Sequence, residues 1–140
     1  MREILFRGQL RRKGEKVNMA GEPLPSIWKY GGVGQYGGGA VIYQAEPEIE
    51  KFPVYADTVG QYTGLTGKNG VKIFDGDIVR TLNGKKMFKV VWDGYCALYV
   101  LESLTDTVLN SDFINFYGYE LEVIGNVYDN PELLGGADNA

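Results

Sequence analysis

Asp77-Ile-Val-Arg-Thr-Leu-Asn-Gly-Lys-Lys-Met-Phe-Lys-Val-Val-Trp92 is the stretch that decides the fold. Asn83-Gly84 divides it into two strand-like runs, and Asn-Gly accepts positive φ at both central positions of a type I′ turn, whose twist matches that of paired strands. A second break at Asp93-Gly94 returns the chain into Tyr95-Cys-Ala-Leu-Tyr-Val-Leu-Glu102. The three runs predict an antiparallel meander of the kind that builds small SH3-like barrels. Alternation along the second run puts Met87, Lys89 and Val91 on one face and Phe88, Val90 and Trp92 on the other. The Phe88/Val90/Trp92 face is expected to point inward.

Outward from this meander the same signal recurs. Glu3–Arg7, Lys16–Met19, Ala40–Gln44, Thr58–Thr63 and Leu121–Tyr128 are further short runs rich in Val, Ile, Phe and Tyr, side chains that pack well on a pleated surface. The best helical candidate, Glu102–Phe116, contains Thr105, Thr107, Asn110, Ser111 and Asn115, all weak helix formers. The fold is therefore expected to be mainly β. Gly64-Leu-Thr-Gly-Lys-Asn-Gly70 reads as a tight loop built from residues that tolerate the left-handed region. Gly31–Gly39 holds six glycines in nine positions, as a mobile loop or the tip of a long hairpin. Asn130-Pro-Glu-Leu-Leu134 reads as one helical turn, with Asn130 at the N-cap and Pro131 where its missing N–H costs nothing. A boundary near Asp57 is expected. It separates an irregular β region with Gly/Pro-rich loops (1–56) from a compact barrel-like unit (57–134) and a tail (135–140).

Composition narrows the chemistry. Among 140 residues there is no His and one Cys. That removes Ser–His and Cys–His nucleophilic pairs, His-ligated metals, internal disulfides and multi-cysteine clusters. The net charge of −4 is unevenly spread. The first sixteen residues include Arg2, Arg7, Arg11, Arg12, Lys13 and Lys16, whereas residues 101–140 carry eight carboxylates and no Lys or Arg. The basic end can meet phosphate or can be neutralised by the acidic end, within one chain or between subunits. With no apolar run of membrane-spanning length and no signal-peptide pattern, the expectation is a soluble chain in the cytoplasm of a host cell, with no membrane partner.

Three motifs hint at chemistry, and each has an ordinary explanation. Gly32-Val-Gly-Gln-Tyr-Gly37 spells G-x-G-x-x-G, but a dinucleotide site needs a following helix, and Gly38–Gln44 reads as a strand. Asp75-Gly76-Asp77 could hold Mg²⁺ with Asp93 or Glu120, although Asp and Gly commonly close turns. Cys96 lies in a strand-like run with no base to activate it. No cofactor or resident metal is expected.

Longer segments resemble a known family. Met1-Arg-Glu-Ile-Leu-Phe-Arg-Gly8, Thr58-Val-Gly-Gln-Tyr-Thr-Gly-Leu65 and Lys68-Asn-Gly-Val-Lys-Ile-Phe-Asp-Gly-Asp-Ile-Val79 are similar to YopX-type proteins of bacteriophages and prophages. Leu121-Glu-Val-Ile-Gly-Asn-Val-Tyr-Asp-Asn-Pro-Glu-Leu-Leu134 resembles the family's closing signature. The resemblance implies a largely β, phage-encoded, oligomeric protein without an established activity, and supplies no catalytic residues to carry over.

The leading expectation is a non-catalytic accessory protein that binds a host or phage macromolecule and forms a homo-oligomer. Its contact surface is expected in the Gly/Tyr region, at Tyr30, Gln35, Tyr36 and Tyr43, since exposed Tyr anchors interfaces at low entropic cost. The alternative is nucleic-acid binding by the SH3-like module through Arg11, Arg12, Lys13, Arg80, Lys85, Lys86 and Lys89. A more remote alternative is an Mg²⁺-dependent enzyme using Asp75 and Asp77.

Overall fold

A computed structural model describes residues 3–12, 19–22, 24–37, 39–45, 47–82, 84, 86–95, 97–104, 111–113 and 121–135. The chain is mainly β. Its strands are β1 (Phe6–Gln9), β2 (Trp28–Tyr36), β3 (Gly39–Gln44), β4 (Glu50–Val54), β5 (Gly60–Thr66), β6 (Lys72–Phe74), β7 (Asp77–Thr81), β8 (Met87–Asp93), β9 (Leu98–Ser103), β10 (Ser111–Phe113) and β11 (Leu121–Asn126). Every pairing among them is antiparallel. The chain divides into two units, Ile4–Gln61 and Tyr62–Ala140 with Met1–Glu3, the division falling inside β5.

In the Ile4–Gln61 unit β1 pairs with β2 and with the start of β5, β2 with β3, and β3 with β4. The region expected as irregular β is this sheet, with Gly-rich β2 and Pro53 of β4 inside its strands. Just past β1 the chain also meets β4: Leu10 bridges Val54, and Arg11 N–H donates to the Pro53 carbonyl at 2.9 Å. Ile42 and Val54 are fully buried. Gly8 is the residue that fits against Val54, because a Cβ there would stand 2.9 Å from a Val54 methyl.

In the Tyr62–Ala140 unit β6 pairs with the end of β5, and five strands form a sheet of order β10-β9-β8-β7-β11. The predicted meander is β7-β8-β9, with Val79 opposite Phe88 and Val90 opposite Leu101. Ile73, Val79, Phe88, Val90, Tyr99, Leu101 and Leu121 make the core, each fully buried apolar side chain contributing about 1.5–3 kcal/mol. The sheet is open: its order places β10 and β11 at the two edges, and closure into a barrel is not seen among the described residues.

Several sequence expectations need correction. The β7–β8 connection is a four-residue loop, since the ladder closes between Thr81 N–H and the Lys86 carbonyl at 3.0 Å. Thr81 C=O accepts Gly84 N–H at 2.8 Å, and Gly84 takes φ 75° at the exit. A type I′ turn would have joined the strands through Asn83-Gly84 alone, and Asn83 lies outside the described residues. Trp92 is half exposed, its ring edge-on to Tyr99 at 5.0 Å, because it stands beyond the layer that covers Phe88 and Val90. Asn130 Oδ1 accepts Asn126 N–H at 3.2 Å, ahead of the expected helical turn, found as a 3₁₀ turn at Pro131–Gly135. The strand expected at Lys16–Met19 falls outside the described residues apart from Met19, and Cys96 also lies outside them.

Candidate functional site

The glycine-rich run forms the long arm of the β2–β3 hairpin, with Gly37 at φ 61° at its tip. Its glycines answer to one aromatic residue across the ladder. A Cβ on Gly34 would stand 2.7 Å from Cε2 of Tyr43, and one on Gly31 would run into the Tyr43 carbonyl oxygen. The Tyr43 ring therefore lies close against Gly34, where no side chain stands, and packs without being covered. It remains 38% exposed, and Tyr30 remains 45% exposed.

Register assigns the faces. Gly32 opposes Tyr43, and Tyr43 opposes Lys51, so Tyr30, Gly32, Gly34, Tyr43 and Lys51 share one side of the sheet. The backbone of Tyr36 belongs to the same side by register; its side chain is outside the described part. Gln35, opposite Ala40, and the exposed Val33, opposite Ile42, belong to the other side. Of the four residues expected to act together, Tyr30 and Tyr43 share one side and Gln35 lies on the other, while the Tyr36 side chain is outside the described residues. On the Tyr30 side Arg7, opposite Tyr30, is buried with its guanidinium 4.6 Å from the centre of the Trp28 ring. Lys51 was not anticipated, because its place beside Tyr43 depends on the β3–β4 register and leaves no local mark in the sequence.

The basic residues are distributed differently. Arg80 Nη2 donates to Glu122 Oε1 at 2.7 Å, Lys68 Nζ is 3.6 Å from Glu122 Oε2, and Lys89 Nζ is 3.7 Å from Glu102 Oε1. Two of the seven residues expected to meet phosphate, Arg80 and Lys89, thus stand in cross-strand ion pairs. Hydrogen bonding from Arg80, then the charge of Lys68, hold the Glu122 carboxyl below the ordinary glutamate range. Lys86 is exposed, and its backbone closes the β7–β8 ladder. Arg11 is exposed, Arg12 donates to the Pro25 carbonyl, and both belong to the Ile4–Gln61 unit. Lys13 and Lys85 lie outside the described residues.

Of the Asp75/Asp77 pair, Asp77 is taken up by a turn. Asp77 is 1% exposed, and its Oδ2 accepts Phe74 N–H at 2.7 Å across the β6–β7 turn, where Gly76 takes φ 89°. Asp93 Oδ1 accepts Tyr95 N–H at 2.9 Å in the β8–β9 turn, and Glu120 is outside the described residues. No group of three or more Asp, Glu, His or Cys side chains placed to hold a metal occurs among the described residues. Gly32–Gly37 runs along β2 and is followed by β3, so the helix that a dinucleotide site requires is not there. No helix among the described residues is long and apolar enough to cross a membrane.

No curated protein matches the sequence. Residues 36–135, from the tip of the Tyr43 hairpin to the closing 3₁₀ turn, match the family model described as YopX protein. That span covers more than half of the chain, from the end of β2 onward, and the chain belongs to the YopX family.

Proposed function

We propose that this YopX-family chain is a non-catalytic accessory protein of a phage or prophage, acting in the host cytoplasm by holding a host or phage macromolecule on the Tyr30/Tyr43 side of the β2–β3 hairpin. One observation carries the reading: Gly34 leaves room for a Tyr43 ring that stays 38% exposed. A side chain needed only for packing has no use for that exposure. Flat, rigid tyrosines bury large area on contact at small entropic cost. Self-association belongs to the same proposal, and light scattering on the wild-type chain tests it.

The direct test compares wild type with a Tyr30→Ser/Tyr43→Ser double variant as bait in lysate from infected cells. A partner retained by wild type and by a Leu82→Ser control, but lost by the double variant, supports the reading. Retention by all three baits refutes it. Nucleic acid is the second reading, favoured by Lys51 beside the stacking face of Tyr43. It predicts single-strand binding that falls steeply with salt and is lost in Lys51→Gln. The basic row on β7 and β8 lends it less support, since Arg80 and Lys89 already face carboxylates.

A further inference from the structure

A recess in the Ile4–Gln61 unit, with no residue of the Tyr30/Tyr43 pair in its lining, has the chemistry of a small-anion site. It is a partly open cleft of about 150 Å³ lined by Gln9, Leu10, Arg12, Leu24, Ser26 and Tyr55. Its walls are set by the main chain. Leu10 N–H donates to the Ile27 carbonyl at 2.8 Å, and Tyr55 N–H to the Gln9 carbonyl at 2.9 Å, which fixes the three segments around the cavity. The guanidinium of Arg12 is tethered to the Pro25 carbonyl by Nη2, and a guanidinium carries five N–H donors in a rigid fork. Ser26 Oγ accepts the Gln9 side-chain amide at 3.2 Å, so its own proton is available to an acceptor in the cleft. Among the described residues, no Asp or Glu lines it.

A single guanidinium matches one negative charge, and its planar fork matches a carboxylate, which it can grip through two parallel hydrogen bonds. Leu10 and Leu24 offer apolar walls to what the carboxylate is attached to. Cavities of roughly this volume admit a six-carbon ring, so the apolar part is limited to about the size of a leucine side chain. We propose that this cleft binds a short branched aliphatic carboxylate, presented as a free acid or as the C-terminal residue of a peptide. The carboxylate lies against Arg12 and Ser26, and the branched chain lies against Leu10 and Leu24. The site is independent of the tyrosine face.

Protein-detected NMR titration of the full chain tests it, with 4-methylpentanoate and acetyl-leucine as acids, and 4-methylpentanamide and acetyl-leucine amide as neutral counterparts. Affinity should be weak, as so few atoms dictate. Both acids should shift the backbone resonances of 9–12, 24, 26 and 55, each binding at least ten-fold more tightly than its amide. The acid that binds more tightly identifies the source. Arg12→Gln should remove the preference for acid over amide, and Leu24→Ala should weaken both acids several-fold. Ser26→Ala leaves the Arg12 tether in place, so it keeps the test open if Arg12→Gln fails to fold, and it should weaken the acids several-fold. Amides binding as well as acids, acid binding unchanged in a folded Arg12→Gln or Ser26→Ala, or no shifts at the solubility limit would overturn the proposal.

Discussion

Replacing Gly34 with alanine plants a methyl group 2.7 Å from Cε2 of Tyr43, where ordinary contact begins near 3.4 Å. The atom it meets is the outer end of a side chain that is already 38% exposed, so the ring can swing away. Losing the ring's seat costs about 0.5–1.5 kcal/mol, on the scale of an aromatic contact. Alanine for glycine in a strand returns about 0.5–1 kcal/mol through a stiffer unfolded chain. The two nearly cancel, and Gly34→Ala should change stability by no more than about 1 kcal/mol. Gly31→Ala, three positions earlier on the same strand, meets the Tyr43 carbonyl oxygen instead, with φ at 157°. Backbone cannot swing aside, and the cost should be about 1–3 kcal/mol, or a fall in Tm of roughly 4–8 °C per kcal/mol for a unit of this size. Urea and thermal melts measure both. NMR adds the ring-current shift that the Tyr43 ring imposes on Hα of residue 34, which should shrink in Gly34→Ala while the fold persists. If Gly34→Ala melts as low as Gly31→Ala, or the ring shift is unchanged, the glycines are not there to seat Tyr43 and the case for a built aromatic face fails.

Phe88→Ala, at a position 2% exposed, should cost about 3–5 kcal/mol in urea melts; a loss below about 1 kcal/mol would contradict the core assignment. Asp77→Ala strips the acceptor from Phe74 N–H and should cost about 1–3 kcal/mol. In wild type, millimolar Mg²⁺ should leave Tm unchanged, and a rise of several degrees would restore the metal reading of Asp75 and Asp77. Glu122 has a folded-state pKa lowered chiefly by its Arg80 hydrogen bond. Its stabilising contribution is therefore full above the ordinary glutamate range and lost as pH falls through the lowered value. The stability gap between wild type and Glu122→Gln should be present at neutral pH and close in that acid window; a gap independent of pH would show that the pairing with Arg80 is not its source.

What the sequence disclosed was what local chemistry decides. Asn83-Gly84 and Asp93-Gly94 mark both connections of the meander, and alternation between them places Phe88 and Val90 in the core. Asn69 and Gly70 adopt the left-handed conformation their loop called for, at φ 62° and 73°. What stayed hidden depends on partners distant in sequence. Alternation says which side Trp92 faces but not where the covering layer stops. Glycine content left β2 open to two readings, a mobile loop or the tip of a long hairpin, because what Gly31 and Gly34 make room for, the carbonyl and the ring of Tyr43, lies on β3. Pro53 masked β4 in the same way. The residues around the Arg12 cleft come from three separate segments, and of these only Arg12 stood out, as a charge without a shape around it.

Pro53 also decides how β4 can meet another chain. Its carbonyl points away from β3, to receive Arg11 N–H, and in an extended strand its nitrogen, which carries no hydrogen, points the same way. At that position the margin of the sheet offers an acceptor already in use and no donor at all. A foreign strand laid there finds nothing to zip onto, so fibril-like growth through β4 is blocked at its middle. Copies of this chain that associate at β4 must do so by the shapes of their side chains, without prolonging the ladder.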